Sequence, residues 1–205
     1  MRVLFFGDSI TYGAWDTEGG WVERLKKDAH HQTVESEGNQ KVQVINLGIG
    51  GDSSTKILKR MESEIQARYS KSWPFVLVVS CGANDERSIN GKVETSLEEF
   101  GSNTNAIIEL AKKYSDKVLF VGAPPIGQTV VNFKGQEYSD ERLEEYEKKL
   151  KNLVESAGLE FLPVRPVFQR AGIEDLYSYD NIHPNDIGHE LIYKAVKPKL
   201  EELLK

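Results

Sequence analysis

Cysteine, positive charge and long apolar runs are all scarce in this sequence, and each scarcity excludes a class of protein. Cys81 is the only cysteine among 205 residues, so no disulfide can form within one chain. The net charge of −6 argues against nucleic acid or an anionic membrane as a partner, because such partners select for basic patches. No apolar run reaches the length of a signal-peptide core or a transmembrane helix. The sequence therefore predicts a cytoplasmic protein without integral membrane association.

The length and composition are those of one ordinary globular domain. Hydrophobic residues make up 39% of the sequence and charged residues 28%, which is typical of a folded chain rather than a disordered one. No segment rich in Ser and Gly, in Pro or in one sign of charge divides the sequence into parts. We therefore expect residues 1–205 to form a single domain with a large core.

Short apolar runs alternate along the sequence with segments of helical periodicity. Nearly continuous apolarity is typical of strands that are covered on both faces, as in a parallel sheet. The predicted strands are residues 3–6, 42–47, 75–80, 118–121 and 160–164. The predicted helices are residues 21–31, 54–69, 97–114, 139–157 and 184–204. This alternation predicts an open α/β sheet with right-handed crossovers. We expect Pro184 to begin the last helix, and Pro198 to break or kink it near its end.

Polar or glycine-rich segments follow four of the five predicted strands. They are GDSITYG at residues 7–13, GIGGD at 48–52, GAND at 82–85 and DNIH at 180–183. Taken alone, the first of them predicts no more than a turn, because Gly, Asp and Ser all favour turns. The carboxyl ends of parallel strands, however, meet at one edge of the sheet, and that is where ligand sites form. We therefore expect the four segments to contribute to one site.

The polar residues of these segments are the types that acyl transfer requires. Ser9 is a candidate nucleophile, and His183 is a candidate base that could take the proton from its hydroxyl. Asp180 precedes the histidine by three residues, close enough to orient the imidazole and to stabilise its charge. Three groups could stabilise an oxyanion: the backbone N–H groups of Ser9 and Gly51 and the side-chain amide of Asn84.

With all four segments in this order, the sequence resembles the SGNH hydrolases, the GDSL-type esterases and lipases. That superfamily is named for Ser, Gly, Asn and His, which stand here as Ser9, Gly51, Asn84 and His183. The segments span residues 7–183, most of the chain. One of them would be weak support, but four in order at predicted strand ends are a strong signal. The sequence departs from the name motif only at Ile10, where the motif has leucine.

The resemblance implies a fold and a set of roles. The fold is a flavodoxin-like three-layer α/β/α sandwich whose five-stranded parallel sheet has the order 2-1-3-4-5. Ser9, His183 and Asp180 are implied to form a catalytic triad. The N–H groups of Ser9 and Gly51 and the side chain of Asn84 are implied to form the oxyanion hole. The resemblance implies no cofactor and no metal.

The expected activity is that of a serine esterase, an acylhydrolase that cleaves small carboxylic esters through an acyl-enzyme. Its partner is then a small-molecule ester rather than a nucleic acid. The same site would also suit a carbohydrate deacetylase, a lysophospholipase or a thioesterase. Outside the hydrolases, the alternatives are a flavodoxin-like module that binds FMN and a non-catalytic relative. A flavin site gives no reason for Asn84 or for the pair of Asp180 and His183.

Several neighbouring residues are expected to have structural roles. Asp8 is expected to brace the turn that carries the serine, and Asp85 to cap or brace its own loop. His189 is expected to be structural because it does not share the helix face of His183. Cys81 lacks a local activating partner, which favours a buried small side chain over a second nucleophile.

The pocket walls are less well defined by the sequence. Trp15 and Trp21 could line the substrate pocket or pack the first helix. The long loop after the fourth predicted strand is the best candidate for an acyl-contacting wall or lid. Its apolar residues are Ile126, Val130, Val131 and Phe133.

Overall fold

A computed structural model describes residues 1–127, 135–173 and 175–205. The strands in these ranges are β1 (Arg2–Gly7), β2 (Gln43–Gly48), β3 (Phe75–Val79), β4 (Ser88–Ile89), β5 (Lys92–Val93), β6 (Val118–Val121), β7 (Gln136–Glu137) and β8 (Glu160–Leu162). The helices are α1 (Ser9–Tyr12), α2 (Gly20–Glu35), α3 (Ser54–Ala67), α4 (Leu97–Tyr114), α5 (Asp140–Ser156), α6 (Arg165–Ala171) and α7 (Asp186–Leu203). None of the helices in the described ranges combines the length and the apolarity that crossing a membrane requires.

The main sheet is parallel throughout and has the order β2-β1-β3-β6-β8. Counting only its own five strands, this is the predicted order 2-1-3-4-5, and the predicted three-layer sandwich is confirmed. Strand β1 lies in the centre, between β2 and β3. The order of the strands along the chain reverses there, and open α/β sheets bind ligands at such a point.

Alternate residues of β1 enter two hydrophobic cores on opposite faces of the sheet. Leu4 and Phe6 pack with residues of α3, α4 and α5. Val3 and Phe5 pack with residues of α2, α6 and α7. All four side chains are at most 1% exposed, so β1 is covered on both faces, as its continuous apolarity predicts.

The last helix begins differently from the sequence prediction. It starts at Asp186 rather than at Pro184, because Asn185 is its N-cap: the side-chain oxygen of Asn185 accepts hydrogen bonds from the N–H groups of Ile187 and Gly188. Pro184 instead forms a β-bridge with Tyr177 in the preceding loop. Pro198, where we expect a break or a kink, does not break the helix, since α7 continues through this residue to Leu203.

A small antiparallel sheet, ordered β5-β4-β7, was not predicted from the sequence. It joins the segment that follows Asn84 to the segment that leads into α5. Tyr138 lies directly after β7, and the small sheet therefore holds this side chain beside the end of β3.

Candidate active site

Ser9 lies immediately beyond the carboxyl end of the central strand. It is the first residue of α1, and Asp8 is the N-cap, with its side chain accepting a hydrogen bond of 2.9 Å from the N–H of Ile10. The N–H of Ser9 is one of the groups for which a helix offers no acceptor at its start. The four-residue helix ends at Gly13, whose N–H donates to the carbonyl of Ser9. The expected bracing role of Asp8 is confirmed.

Two glycines allow the turn around Ser9 to be this tight. A β-carbon on Gly7 would lie 2.0 Å from Oγ1 of Thr11. On Gly48, at the end of β2, it would lie 2.3 Å from the backbone nitrogen of Tyr12. Both distances are far below van der Waals contact, so any larger residue would displace α1. The glycines therefore fix where the serine hydroxyl sits.

His183 and Asp180 reach the same edge of the sheet from the loop before α7. Nε2 of His183 lies 2.8 Å from Oγ of Ser9, and its Nδ1 lies 2.6 Å from Oδ2 of Asp180. The other carboxylate oxygen, Oδ1, accepts the backbone N–H groups of Ile182 and His183 at 3.0 and 2.9 Å. Asn181 has a φ of 55°, a left-handed conformation that asparagine tolerates in tight turns. The three predicted triad residues are thus joined in one hydrogen-bonded line.

Asp180 is ionised throughout the neutral pH range. Partial burial opposes its ionisation, but hydrogen bonds from the His183 ring and from two backbone N–H groups outweigh burial and lower its pKa to about 2. Its side chain is 15% exposed and that of His183 is 18% exposed. The carboxylate therefore faces the imidazole as a fixed negative charge that is largely shielded from water.

Gly51 and Asn84 line the same cleft as Ser9 and His183. This cleft has a volume of about 520 Å³. Gly51 has a φ of 79° in the loop after β2. The Asn84 amide nitrogen donates to the carbonyl of Asp52 at 3.2 Å, and lies 3.5 Å from Oδ2 of Asp8. The four residues singled out in the sequence therefore meet in one cleft, as expected from the sheet edge.

The family of the chain follows from its sequence as a whole. Residues 5–191 match the model of the GDSL-like Lipase/Acylhydrolase family. The chain belongs to this family. The predicted resemblance is thereby confirmed, and the protein is a GDSL-type hydrolase. A search of curated protein sequences finds no match.

Solved structures of the same fold include several hydrolases. The lipase/acylhydrolase from Enterococcus faecalis matches this GDSL hydrolase with a TM-score of 0.76 and 23% identity, over 100% of this chain and 97% of that one. The acetyl xylan esterase AlAXEase gives 0.75 and 22%, over 98% and 100%. TesA gives 0.71 and 21%, over 99% of each chain. At these identities the similarity establishes the shared fold.

The two tryptophans of the first helical region have different positions. Trp21 is buried, packs edge-on against Phe5 and donates its indole N–H to the carbonyl of Ile10, so packing is its role. Trp15 is 54% exposed and lines the cleft. Its indole nitrogen lies 3.0 Å from Oδ2 of Asp180, a contact that the sequence analysis missed. The two residues are 165 positions apart, and no local pattern links them.

Asp85, His189 and Cys81 all have structural roles near the cleft. Asp85 accepts hydrogen bonds from the N–H and the hydroxyl of Ser54, so it caps α3 rather than its own loop. His189 is fully buried, with Nε2 3.3 Å from the carbonyl of Ala14. Cys81 is buried, and burial raises the pKa of its thiol well above the ordinary value. The expected structural roles of His189 and Cys81 are confirmed, and Asp85 is also structural but acts on α3 instead of its own loop.

The proposed acyl-contacting loop is described only at its start. Ile126 packs into a small cluster with Ala83, Ala123 and Leu143. The other apolar residues of that interpretation, Val130, Val131 and Phe133, lie outside the described residues. In the ranges that the structure does describe, no three His, Cys, Asp or Glu side chains are grouped so as to hold a metal ion.

The carboxyl group of Asp8 makes stability depend on pH. Complete burial raises its pKa to about 6, although N–H groups of Ile10 and Thr11 oppose this. The pKa of Asp8 in the folded protein lies above its value in the unfolded chain. The contribution of the protonated carboxyl to the free energy of unfolding is therefore fully present below about pH 4 and is lost as the pH rises through 6. Asp8→Asn keeps a good N-cap but cannot ionise. As the pH rises from 5 to 8, we expect its free energy of unfolding to increase by about 1 kcal/mol relative to that of the wild type. Urea unfolding of both proteins at pH 5 and at pH 8 measures these free energies. The same difference between variant and wild type at both pH values would contradict the prediction.

Proposed function

We propose that this GDSL hydrolase is a serine esterase that cleaves small carboxylic esters through an acyl-enzyme intermediate. The observation that carries the proposal is the continuous line from Oγ of Ser9 through the ring of His183 to Asp180, with contacts of 2.8 and 2.6 Å. Ser9 and His183 line a cleft of about 520 Å³. A nucleophile hydrogen-bonded to a base, which is itself oriented by a third group, is the arrangement that activates a serine hydroxyl.

The first step is acylation of the serine. Nε2 of His183 takes the proton of the Ser9 hydroxyl while Oγ attacks the carbonyl carbon of the ester. Asp180 holds Nδ1 in its protonated form, which leaves Nε2 free to accept, and it stabilises the imidazolium that results. The imidazolium then gives its proton to the departing alkoxide, so the alcohol leaves and the acyl group remains on Ser9.

The negative charge that forms on the carbonyl oxygen of the ester is stabilised by hydrogen-bond donors that are already positioned in the cleft. Ser9 and Gly51 both line the cleft, and the backbone N–H of neither residue donates to an acceptor within the described residues. Asn84 adds a neutral amide that is held in the cleft by Asp52 and by the Tyr138 hydroxyl. Each such donor is typically worth roughly 2.7–4 kcal/mol in the transition state.

Deacylation repeats the chemistry with water. His183 takes a proton from a water molecule that attacks the acyl carbonyl, and the same donors stabilise the second oxyanion. The imidazolium returns its proton to Oγ of Ser9, which releases the carboxylic acid. Neither step uses a group beyond those already at the cleft.

The leaving group defines the choice among the related activities. A carbohydrate deacetylase, a lysophospholipase and a thioesterase would all use the same acylation step. The acetyl xylan esterase AlAXEase has this fold, and a cleft of about 520 Å³ that is lined by Ser9 has room for a small ester. We place short-chain esters first for this reason. A flavin module would leave the hydrogen-bonded pair of Ser9 and His183 without a role.

An ester panel with an active-site probe tests this proposal. We expect hydrolysis of p-nitrophenyl acetate and butyrate, with rates that fall as the acyl chain lengthens. We also expect one fluorophosphonate molecule to attach to Ser9, as located by peptide mass spectrometry. Ser102→Ala is the control variant, because it removes an exposed serine on α4. We expect it to keep both the ester hydrolysis and the labelling of Ser9. No turnover of any ester or thioester, or labelling elsewhere than at Ser9, would exclude the proposal.

A further inference from the structure

Trp15 occupies an unusual position at the mouth of the cleft. Its backbone φ is 67°, a strained left-handed conformation that is rare for a bulky residue. Its ring packs against two partners: it lies edge-on to the ring of His183, with centroids 6.0 Å apart, and against Tyr179 at 5.9 Å. A strained aromatic residue that is still 54% exposed is not explained by core packing.

The strained loop is held by contacts on both sides of Trp15. The carbonyl of Ala14 faces Nε2 of His189, and burial lowers the pKa of that histidine to about 4, so the ring is neutral and can donate from this nitrogen at neutral pH. Asp16 pairs with Arg24. The chain at Thr17 is tied to the start of α7.

The link to α7 connects the tryptophan to the catalytic loop. The N–H and hydroxyl of Thr17 donate to Asp186 at 2.9 and 2.6 Å. Asp186 follows His183 by three residues. The segment that carries Trp15 is therefore fixed to the segment that carries the proposed base, and the two can hold a constant separation.

The indole nitrogen of Trp15 faces the carboxylate of Asp180. Its N–H donates to Oδ2 at 3.0 Å, and the nitrogen lies 3.2 Å from Nδ1 of His183. Oδ2 thus accepts two ring N–H groups, while Oδ1 accepts two backbone N–H groups from Ile182 and His183. Both carboxylate oxygens are fully engaged. Without the indole, Oδ2 would keep only the imidazole, and the carboxylate plane could tilt away from it.

We propose that Trp15 is a positioning residue that holds the Asp180 carboxylate against Nδ1 of the His183 ring. The inference rests on the proposed function, since it assigns a role within the same triad. Trp15 acts through Asp180 and not on the ester. A hydrogen bond to a charged group that is lost without replacement corresponds to a factor of about 10 or more.

Trp15→Phe tests the proposal, because phenylalanine keeps an aromatic ring but lacks the N–H. We expect kcat for p-nitrophenyl acetate to fall about tenfold and KM to change less than twofold. Trp73→Phe is the matched control: Trp73 lies under the side chain of Arg2, and its replacement is expected to leave kcat unchanged. Trp15→Tyr is a second variant without the indole N–H, and thermal unfolding of each protein checks that it is folded.

A double-mutant cycle separates positioning from other roles. In an Asp180→Ala background, the carboxylate is absent, and we expect Trp15→Phe to change kcat less than twofold. A tenfold loss that persists in this background, or a loss that appears in KM, would overturn the positioning role. An unchanged kcat in Trp15→Phe would also overturn it while leaving the esterase proposal intact. A wild-type protein that hydrolyses no ester would overturn both.

Discussion

Replacing Ser9 with alanine is expected to lower kcat by about 10⁶-fold, and adding His183→Ala is expected to lower it no further. The two side chains share one hydrogen bond of 2.8 Å, and each is ineffective without the other: the histidine has no hydroxyl to activate, and the hydroxyl has no base. Steady-state kinetics with p-nitrophenyl acetate on both single variants and on the double variant measures the effect.

The losses of kcat in the two single variants are not expected to multiply in the double variant. Residual activity of the variants over the reaction in water should remain, because the N–H groups of the cleft are still present. Ser102→Ala, which changes an exposed serine on α4, should keep the full rate. Losses in the two single variants that multiply in the double variant would show that Ser9 and His183 do not act as a unit.

Asp180→Asn is expected to lower kcat by about 10⁴-fold at neutral pH. The two backbone N–H groups that face Oδ1 require an acceptor, so the amide oxygen takes that place. The amide NH₂ then points at Nδ1 of His183 and favours the tautomer that carries its proton on Nε2. That tautomer cannot accept the proton of Ser9. Single-turnover kinetics from pH 6 to pH 9 measures the loss.

A neighbouring acid provides the control for this variant. Asp175 is exposed and lies five residues before Asp180, so Asp175→Asn makes the same chemical change without reaching the triad. It should retain the wild-type rate. Because the pKa of Asp180 is about 2, loss of wild-type activity between pH 8 and pH 5 does not come from this carboxyl. An Asp180→Asn protein within tenfold of wild type would remove the aspartate from the proposed mechanism.

The elements with strong periodicity were predictable from the sequence. The strand at residues 118–121 and the helix at residues 97–114 have the predicted limits. The small sheet was not predictable, because strands of two residues such as Ser88–Ile89 are too short to show alternation. The helix α1 has only four residues and begins within a turn-like segment, so the turn signals of Asp8 and Ser9 dominate.

The site was predictable where its residues follow strands and not where they meet by tertiary packing. Ser9 and Asn84 come within a few residues of the ends of β1 and β3, and a parallel sheet brings such positions to one edge. Trp15 contacts Asp180 where two segments distant in sequence pack together, and Thr17 and Asp186 join the same two segments. The elevated pKa of Asp8 likewise depends on burial by elements that the local sequence does not reveal.

The early place of β1 along the chain has a consequence for when the proposed triad can first form during synthesis. This strand is made before either of its neighbours, and Ser9 waits for His183, which follows it by 174 positions. At about 5–20 residues per second, the ribosome needs roughly 9–35 s to bridge that interval. A nascent chain therefore carries Ser9 without His183, the base of the proposed mechanism, throughout that interval. On the proposed mechanism, fluorophosphonate labelling of Ser9 consequently reports only chains in which His183 has been made and folded against it.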